Sequence, residues 1–421
     1  MKDINFENND FRQRASFILS NTLGTFLEYF DGTLYAFFVT TFAFTFFPGK
    51  NQTTSLIYTF GVFAIAFLTR PFGALLFRTL GDKWSRRNVL AANILLMSVA
   101  TVGIGLILSY KAIALLAPAL LIFFRLLQGL AISTEFTGSS IYLLETLPSR
   151  HGFFSGVSTS AGSFGIAFAS LLAAIVSHFH FESHWRWAFF FSGAVIGLLG
   201  FYLRRQQPES IAFLKAAEAK SLHQKPPLVL FKKYRRELFL STLLSIYLGV
   251  LFYAVLVYSP AYLERLGFSH QAALLISMLA SLIEALACPL FGWLADRHGL
   301  RSILIFATLS MGLLAFPFFY LISLNIFGVT LLSFGCLGFL AAVFDGPLVA
   351  YLITKFDVTV RHTGVSLSYN LGAALFGGFT RVSLTYFIDK TKIILFPSFI
   401  LMGFALLAFC VLLREKKLNS H

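Results

Sequence analysis

Residues 124–145 read FRLLQGLAISTEFTGSSIYLLE, a charged stretch within a strongly apolar part of the chain. On one continuous helix, Arg125, Gln128 and Glu135 recur at positions i, i+3 and i+10 and therefore share a face. Charged side chains are costly at membrane depth, and those that occur there usually face a polar interior and serve a function. The stretch therefore predicts a membrane helix whose polar face is directed into the protein.

The composition of the whole chain agrees with a membrane protein. Of its 421 residues, 57% are hydrophobic and only 12% are charged, and the mean hydropathy is +0.77. Long apolar segments are typical of membrane helices rather than of soluble domains. The formal net charge is +14, but Lys and Arg lie mainly in short segments between the apolar runs, where they set topology. These features predict a polytopic membrane protein with no nucleic-acid partner.

Twelve segments are long enough to cross a bilayer, which requires about 20 residues each. They are predicted at 16–38, 55–78, 88–108, 112–145, 152–177, 185–203, 238–260, 271–294, 302–323, 326–352, 363–388 and 393–413. With the N-terminus inside, 24 Lys and Arg fall on the inner side and 6 on the outer side. This excess predicts that both termini are cytoplasmic, in a membrane of the bacterial inner-membrane type.

The chain divides into two halves around one long polar interval. We predict an N-terminal bundle at 1–203, a basic cytoplasmic linker at 204–237 with an amphipathic helix near 211–219, and a C-terminal bundle at 238–421. An internal repeat supports this division, because the loops after the second and eighth spans align at an offset of 214 residues. The aligned pairs are Asp82 with Asp296, Lys83 with Arg297, and Arg87 with Arg301.

Each repeated loop places a carboxylate beside several cations at the inner end of a helix. Charge-assisted hydrogen bonds from such groups can hold two halves together on one side of the membrane. Topology signalling alone is the simpler explanation of these charges, but their recurrence favours a gate. With Glu145, which lies close to the inner surface, the predicted gating residues are Asp82, Arg86, Arg87, Glu145, Asp296, Arg297 and Arg301.

Several short segments match a known family in the same order along the chain: Glu28-Tyr-Phe-Asp31, Arg70-Pro71-Phe-Gly73, Arg125-Leu-Leu-Gln128-Gly129, Glu135-Phe-Thr-Gly138, Glu145 with Pro148, and Arg361-His-Thr-Gly364 with Tyr369-Asn370. With the repeated loops, they resemble the major facilitator superfamily, and most closely its metabolite:proton symporters for proline/betaine, 2-oxoglutarate, citrate or shikimate. The resemblance implies an all-α membrane protein of about 12 transmembrane helices in two pseudo-symmetric six-helix bundles.

Four positions depart from the family pattern. Arg78 stands where the first loop motif usually begins with glycine, and Ser85 replaces the glycine of its tight turn. Arg381 stands in the eleventh span where proline is expected, and Asp345 is unusual in the tenth. These departures bear on the substrate class more than on the fold.

The resemblance implies proton coupling by four residues: Glu28, Asp31, Arg125 and Glu135. Glu28 and Asp31 lie three residues apart and therefore face the same way on a helix. The alternative is that each carboxylate only compensates a buried arginine, which keeps its charge. Glu284 lies 12 residues before Asp296, which is about 18 Å along a helix, and its role stays open, as does that of Asp345.

Substrate binding is predicted for a second set of polar residues: Arg70, Gln128, Tyr35, Tyr369, Asn370 and Arg381. Arg70 resembles the arginine that meets a substrate carboxylate in 2-oxoglutarate-type relatives. Tyrosines such as Tyr35 and Tyr369 can hold a quaternary ammonium by cation–π contact, although most membrane tyrosines lie at interfaces. For Arg381, a purely structural role is an equal alternative.

We therefore expect a monomeric secondary transporter, without enzymatic activity, that takes up a small carboxylate-bearing metabolite with protons. The substrate is an organic acid or a zwitterion such as proline or betaine. No cofactor or metal is expected, because Cys288, Cys336 and Cys410 match no metal-ligand spacing and no G-x-x-x-x-G-K-S/T loop for ATP is present. A proton-coupled exporter or antiporter is the alternative, disfavoured by the missing glycine-proline signature in the fifth span. A scaffold or receptor would leave the mid-membrane acids unexplained.

Overall fold

The computed structural model describes residues 11–49, 51–84, 86–133, 135–178, 184–205 and 226–414. Within these ranges all regular secondary structure is helical, as the apolar segments predict. Eight of the helical stretches are by themselves long and apolar enough to cross a membrane. Each of the twelve predicted segments overlaps one helical span, numbered 1 to 12 below, and the fourth span consists of two helices.

The N-terminal half contains spans 1 to 6. Their bounds are Phe11–Phe37 for span 1, Gln52–Trp84 for span 2, Arg86–Leu106 for span 3, Leu116–Ile132 with Glu135–Thr146 for span 4, His151–His178 for span 5, and Trp185–Phe190, the π-helical turn Phe191–Ile196 and Gly197–Arg205 for span 6. Shorter helices occur at Val39–Phe46, Tyr110–Ile113 and Pro148–Arg150.

The C-terminal half contains spans 7 to 12. Their bounds are Arg235–Phe252 with the π-helical turn Tyr253–Val257 for span 7, His270–His298 for span 8, Leu300–Ser323 for span 9, Phe327–Ile353 for span 10, Val358–Gly372 with the π-helical turn Ala373–Gly377 and Gly378–Thr391 for span 11, and Phe396–Arg414 for span 12. Short helices lie at Pro226–Lys233 and Ser259–Arg265. The first of these lies within the predicted linker, whose residues 206–225, including the helix expected near 211–219, are outside the described residues.

Span 4 differs from the sequence-based prediction of one continuous helix. Its first part ends at Ile132, Ser133 is in a turn conformation, and its second part begins at Glu135. Arg125 and Gln128 share a face of the first part, where both are buried. Glu135 stands in the first turn of the second part, so the i+10 relation does not determine its direction.

The two halves meet along a seam where span 5 packs against span 8. The Ser170 hydroxyl donates to the carbonyl oxygen of Leu274 at 2.8 Å, and the Ser160 hydroxyl donates to that of Ala285 at 2.6 Å. From one hydrogen bond to the next, the residue number falls along span 5 and rises along span 8, so the two helices are antiparallel. A Cβ on Gly156 would lie 2.3 Å from the backbone oxygen of residue 288. The small residues of span 5 thus allow the close packing expected of them.

Glycine has a conformational role in the turn between spans 8 and 9. Gly299 alone connects the end of span 8 to the start of span 9, with φ +93°. A side chain at this position would strain the backbone. Ser85, its counterpart in the repeat, lies outside the described residues.

Candidate functional site

A central cavity lies between the two halves, with an empty volume of about 650 Å³ that includes space open to solvent. Spans 1, 2 and 4 supply one wall, and spans 7 and 11 supply the other. Its polar and aromatic lining consists of Glu28, Tyr29, Thr33, Phe63, Phe67, Arg70, Arg125, Ser245, Phe252, Tyr253 and Tyr369.

Two arginines line the central cavity from the N-terminal half. The Arg70 guanidinium lies 4.2 Å from the ring centroid of Phe67. The Arg125 guanidinium donates to Gln128 Oε1 at 2.7 Å and lies 4.5 Å from the ring of Tyr35. Within the described part of the chain, the Nε atoms of both arginines have no hydrogen-bond partner. The cavity therefore presents positive charge that the protein satisfies only in part.

A second cavity, the inner cavity, lies within the N-terminal half and has about 430 Å³ of empty space. Three carboxylates line it: Glu28, Asp31 and Glu135. The sequence-based prediction placed these acids in one functional group, and the structure places them around one space. Glu28 lines both cavities and so connects the inner cavity to the central one.

Asp31 is held by neutral hydrogen-bond donors rather than by a direct ion pair. The Ser192 hydroxyl donates to its Oδ1 at 2.6 Å, and the Thr101 hydroxyl and the Gln128 amide donate to its Oδ2, the latter at 3.4 Å. Gln128 also accepts from Arg125. The amide of Gln128 therefore bridges the buried arginine and the buried carboxylate.

Glu28 accepts a hydrogen bond from the backbone N–H of Phe136 at 2.9 Å. This N–H belongs to the first turn of the second part of span 4, where backbone donors have no partner within the helix. Arg70 attracts the Glu28 carboxylate, and Glu135 repels it. Glu135 packs against span 1, where a Cβ on Gly24 would lie 1.9 Å from its Oε1 atom. Two carboxylates therefore adjoin where span 1 meets the start of this helix.

Arg381 of span 11 stands behind the aromatic wall of the central cavity. Its side chain is fully buried, and within the described residues none of its three guanidinium nitrogens has a hydrogen-bond partner. The guanidinium lies 3.2 Å from the ring centroid of Phe63 and 4.8 Å from that of Tyr253, and both rings line the cavity. Aromatic faces compensate only part of a buried positive charge.

The other predicted substrate residues occupy different positions. The Tyr369 hydroxyl forms a hydrogen bond of 2.8 Å with the Tyr29 hydroxyl across the two halves, and both residues line the central cavity. Tyr35, Gln128 and Asn370 are absent from its wall. Tyr35 donates to the carbonyl oxygen of Thr59 at 3.0 Å. The Asn370 amide donates to the carbonyl oxygen of residue 133 at 2.9 Å and so joins span 11 to the N-terminal half.

Several contacts join the halves on the linker side, defined as the side where spans 4 and 8 end. Asp296 Oδ1 accepts from the backbone N–H of Gly152 at 2.6 Å, and its Oδ2 accepts from that of Phe153 at 2.9 Å. A guanidinium nitrogen of Arg361 lies 3.3 Å from a carboxylate oxygen of Glu145. Of the predicted gating residues, Asp296 and Glu145 therefore contact the other half.

The remaining predicted gating residues behave differently. Arg297 lies over the ring of Trp293 at 3.9 Å. Arg301 donates to the carbonyl oxygens of Leu412 and Leu413 at 2.9 and 3.1 Å, which ties span 9 to span 12 within the C-terminal half. The side chains of the other three, Asp82, Arg86 and Arg87, lie outside the described residues.

Sequence-based reasoning missed some members of both sites. Thr101 and Ser192 bind Asp31, but single hydroxyl residues in apolar spans give no distinct signal. Arg361 pairs with Glu145, and its place in the Arg361-His-Thr-Gly364 segment was the available signal. Among the described residues, no group of three or more His, Cys, Asp or Glu side chains suits a metal ion.

The sequence comparisons give consistent matches over nearly the whole chain. A family model described as Major Facilitator Superfamily matches residues 22–375. The proline/betaine transporter of Escherichia coli K12 is 31% identical over 402 residues, which cover 91% of this chain and 80% of the relative. The glycine betaine/proline/ectoine/pipecolic acid transporter OusA of Dickeya dadantii is 30% identical over 406 residues, which cover 93% and 81%.

Solved structures share the fold at lower sequence identity. The proton:xylose symporter XylE bound to 6-bromo-6-deoxy-D-glucose matches with a TM-score of 0.75 and 19% identity, covering 95% of each chain. The partially occluded inward-open form of XylE from Escherichia coli matches with a TM-score of 0.75 and 17% identity, covering 97% of this chain and 99% of that one. The arrangement of helical spans described above is therefore shared with these transporters.

Proposed function

This chain belongs to the major facilitator superfamily and is a multi-pass membrane transporter rather than an enzyme. We propose that it takes up a small carboxylate-bearing metabolite together with protons. The substrate is an organic acid or a zwitterion such as proline or betaine, the compounds in the names of its relatives. Transport proceeds by alternating access, in which the halves rock about a central site.

One observation carries this proposal: the cavity between the halves brings an acid and two arginines together. Glu28, Arg70 and Arg125 all line it. Arginine suits a carboxylate because its planar donors match the two oxygens. A substrate carboxylate would therefore receive hydrogen bonds from these two guanidinium groups, whose Nε atoms have no partner among the described residues.

The aromatic side of the cavity suits the remainder of a zwitterion. Tyr29, Phe252, Tyr253 and Tyr369 line the cavity, and their rings can hold a cationic nitrogen by cation–π contact. Arg381 favours an organic acid instead, because it adds a third buried cation behind this wall. We propose that Arg381 strengthens the positive potential of the cavity and does not contact the substrate.

We propose that protons reach the site through the acids of the inner cavity. Glu28 is the member that faces both cavities, so its protonation would change the charge that the substrate meets. Asp31 connects to Arg125 through Gln128, which couples a second acid to the same arginine. Glu135 adjoins Glu28 and completes the group.

The linker-side contacts are proposed to form a gate that opens when the halves rock. Asp296 and Glu145 each bind a group of the opposite half, so these contacts must break on opening. We further propose that the transporter acts as a monomer in the cytoplasmic membrane, with both termini and the linker inside. The charge distribution of the sequence supports this orientation.

Uptake into proteoliposomes under an imposed inward proton gradient tests the proposal. Labelled proline, glycine betaine and a dicarboxylate are expected to distinguish a zwitterion from an organic acid. Acceleration by an inward gradient supports symport, whereas substrate efflux driven by that gradient supports the antiporter. No response to a gradient with any carboxylate or betaine would overturn symport.

Variants then test the proposed proton carriers. Asp31→Asn and Glu135→Gln are expected to abolish stimulation by the gradient but to retain substrate exchange. Asp389→Asn is the matched control, because Asp389 pairs with Lys392 in an exposed part of span 11. Gradient-driven uptake that survives in both carrier variants would show that other groups carry the proton.

A further inference from the structure

Two carboxylates of the C-terminal half, Glu284 and Asp345, belong to the wall of neither cavity. Their helices, spans 8 and 10, run parallel in close contact. A Cβ on Gly338 would lie 2.3 Å from the carbonyl oxygen of Ala280, and a Cβ on Gly346 would lie 2.6 Å from that of Cys288. Both the two glycines and the two span 8 residues are eight positions apart. The register is therefore kept over two turns. Glu284 lies between the two contacts on span 8, and Asp345 directly precedes one of them on span 10.

Glu284 also lies on the seam between the halves. The next residue, Ala285, accepts the hydrogen bond of Ser160 from span 5, and the side chain of Ser163 from the same span lies beside Glu284. The Glu284 side chain is 1% exposed, and its Oε2 atom has no hydrogen-bond partner within the described residues. Spans 5, 8 and 10 thus enclose this carboxylate, with one oxygen unsatisfied.

The groups around this carboxylate include no positive charge among the described residues. Asp345 of span 10 acts electrostatically on Glu284, Ser163 of span 5 lies beside it, and Cys288 lies one turn along span 8. In the described part of the chain neither carboxylate has a salt bridge. An isolated ion is unstable in such an interior, and two adjacent like charges cannot both be ionised there.

We propose that Glu284 and Asp345 share one proton and form a second proton-binding site of the transport cycle, separate from the acids of the inner cavity. A shared proton leaves at most one negative charge on the pair and supplies the donor that the unsatisfied oxygen lacks. The site lies in the C-terminal half, whereas Glu28, Asp31 and Glu135 lie in the N-terminal half.

The position of the pair connects its proton to the transport motion. On the seam, Glu284 meets span 5 of the opposite half, so parting of the halves beside it admits water and allows the proton to leave. On the other side, Asp345 acts electrostatically on Tyr29 and Tyr369, whose hydroxyls meet across the central cavity. The second site therefore lies on the moving interface, and its charge reaches two tyrosines of the central cavity. This role in the cycle rests on the proton coupling proposed above.

Infrared spectroscopy of the purified full-length protein, without substrate, tests the shared proton directly. Protonated carboxyl groups absorb separately from carboxylates, so wild type is expected to show a band for this pair at neutral pH. Glu284→Gln removes that band, and Asp345→Asn shifts the same band because the proton is shared. Asp389→Asn, the exposed control, leaves it unchanged.

Two outcomes would overturn the shared proton. One is a Glu284→Gln spectrum identical to wild type at neutral pH, which would mean that Glu284 is ionised. The other is an Asp345→Asn spectrum in which the band neither shifts nor disappears. If Glu284→Gln does not fold, the shift in Asp345→Asn carries the same test.

The proton-to-substrate ratio, measured from the reversal potential in proteoliposomes, tests the role in the cycle. Glu284→Gln is expected to lower the ratio by one proton per substrate while transport continues. Wild-type transport that ignores the proton gradient refutes the proposed function, and the infrared measurement then judges the pair by itself. Gradient-driven wild-type transport with an unchanged ratio in Glu284→Gln refutes only the second site.

Discussion

Replacing Asp296 by asparagine is expected to weaken closure of the linker side. The carboxylate accepts backbone N–H groups of residues 152 and 153 at 2.6 and 2.9 Å. Both belong to the first turn of span 5, where free N–H groups and the helix dipole favour negative charge. Asparagine keeps one acceptor oxygen but turns an NH₂ group towards the second N–H. The variant therefore loses one hydrogen bond and the charge.

The size of the effect follows from these contacts. A hydrogen bond to a charged group contributes about 1.5–3 kcal/mol. Because Asp296 is exposed, solvent screening places the loss near the lower end of this range. Since the partner N–H groups lie in the other half, the loss acts on the closed state alone. We expect the equilibrium between closed and open forms to shift roughly 10- to 30-fold, at about 1.4 kcal/mol per tenfold change.

Alkylation of Cys288 can measure this shift. Its side chain is fully buried, and its backbone carbonyl adjoins Gly156 across the seam. In a Cys336→Ser, Cys410→Ser background, Cys288 is the only thiol in the chain. A membrane-permeant maleimide is expected to react with it roughly 10- to 30-fold faster in Asp296→Asn, in proportion to the open population.

Asp389→Asn is the matched control, since Asp389 is an exposed aspartate within the C-terminal half that pairs only with Lys392 among the described residues. Its rate of alkylation is expected to match that of the background. An Asp296→Asn rate within twofold of the background would refute the reasoning, because the two hydrogen bonds would then add nothing to closure.

Two further predictions concern other contacts between the halves. Gly292→Ala places a Cβ 2.1 Å from the backbone oxygen of Gly152, so uptake is expected to fall several-fold while alkylation of Cys288 rises. Gly403→Ala is the control and is expected to change neither, because its Cβ would meet no atom within 4 Å apart from its chain neighbours and its own helix backbone. Tyr29→Phe and Tyr369→Phe each remove the hydrogen bond of 2.8 Å, worth about 1 kcal/mol, and should alter the substrate KM about fivefold. The double variant should be no worse than either single variant, and strictly additive effects would contradict a direct bond.

The sequence predicted much of this arrangement because the signals it used are local. Twelve apolar segments gave the helices, and the repeat of Asp82 and Asp296 indicated two related halves. The family segments grouped Glu28, Asp31 and Glu135, and the structure places all three around the inner cavity. The helices and the two halves follow from segment length and the internal repeat, which a single chain contains in full, whereas the grouping of the three acids follows from the family resemblance.

Contacts between distant segments could not be obtained in this way. The sequence placed Glu135 on the face of Arg125, but the helix Leu116–Ile132 ends before Glu135. Arg125 binds Gln128 and stacks on Tyr35, while Glu135 packs against Gly24. Likewise, nothing local indicated that Arg381 would stack on Phe63, a residue of span 2 in the other half.

By itself, the sequence determined the membrane helices, their division into two halves and the presence of buried charges. Burial of apolar length and the cost of isolated charge enforce these features whatever the packing. Only the tertiary structure decided which charges meet, since glycines such as Gly156 and Gly346 bring particular helices into contact at one register. The charged stretch 124–145 shows both levels. Its charged residues predicted a polar interior. In the folded protein, Glu135 lines the inner cavity with the other acids, and Arg125 lines the central cavity.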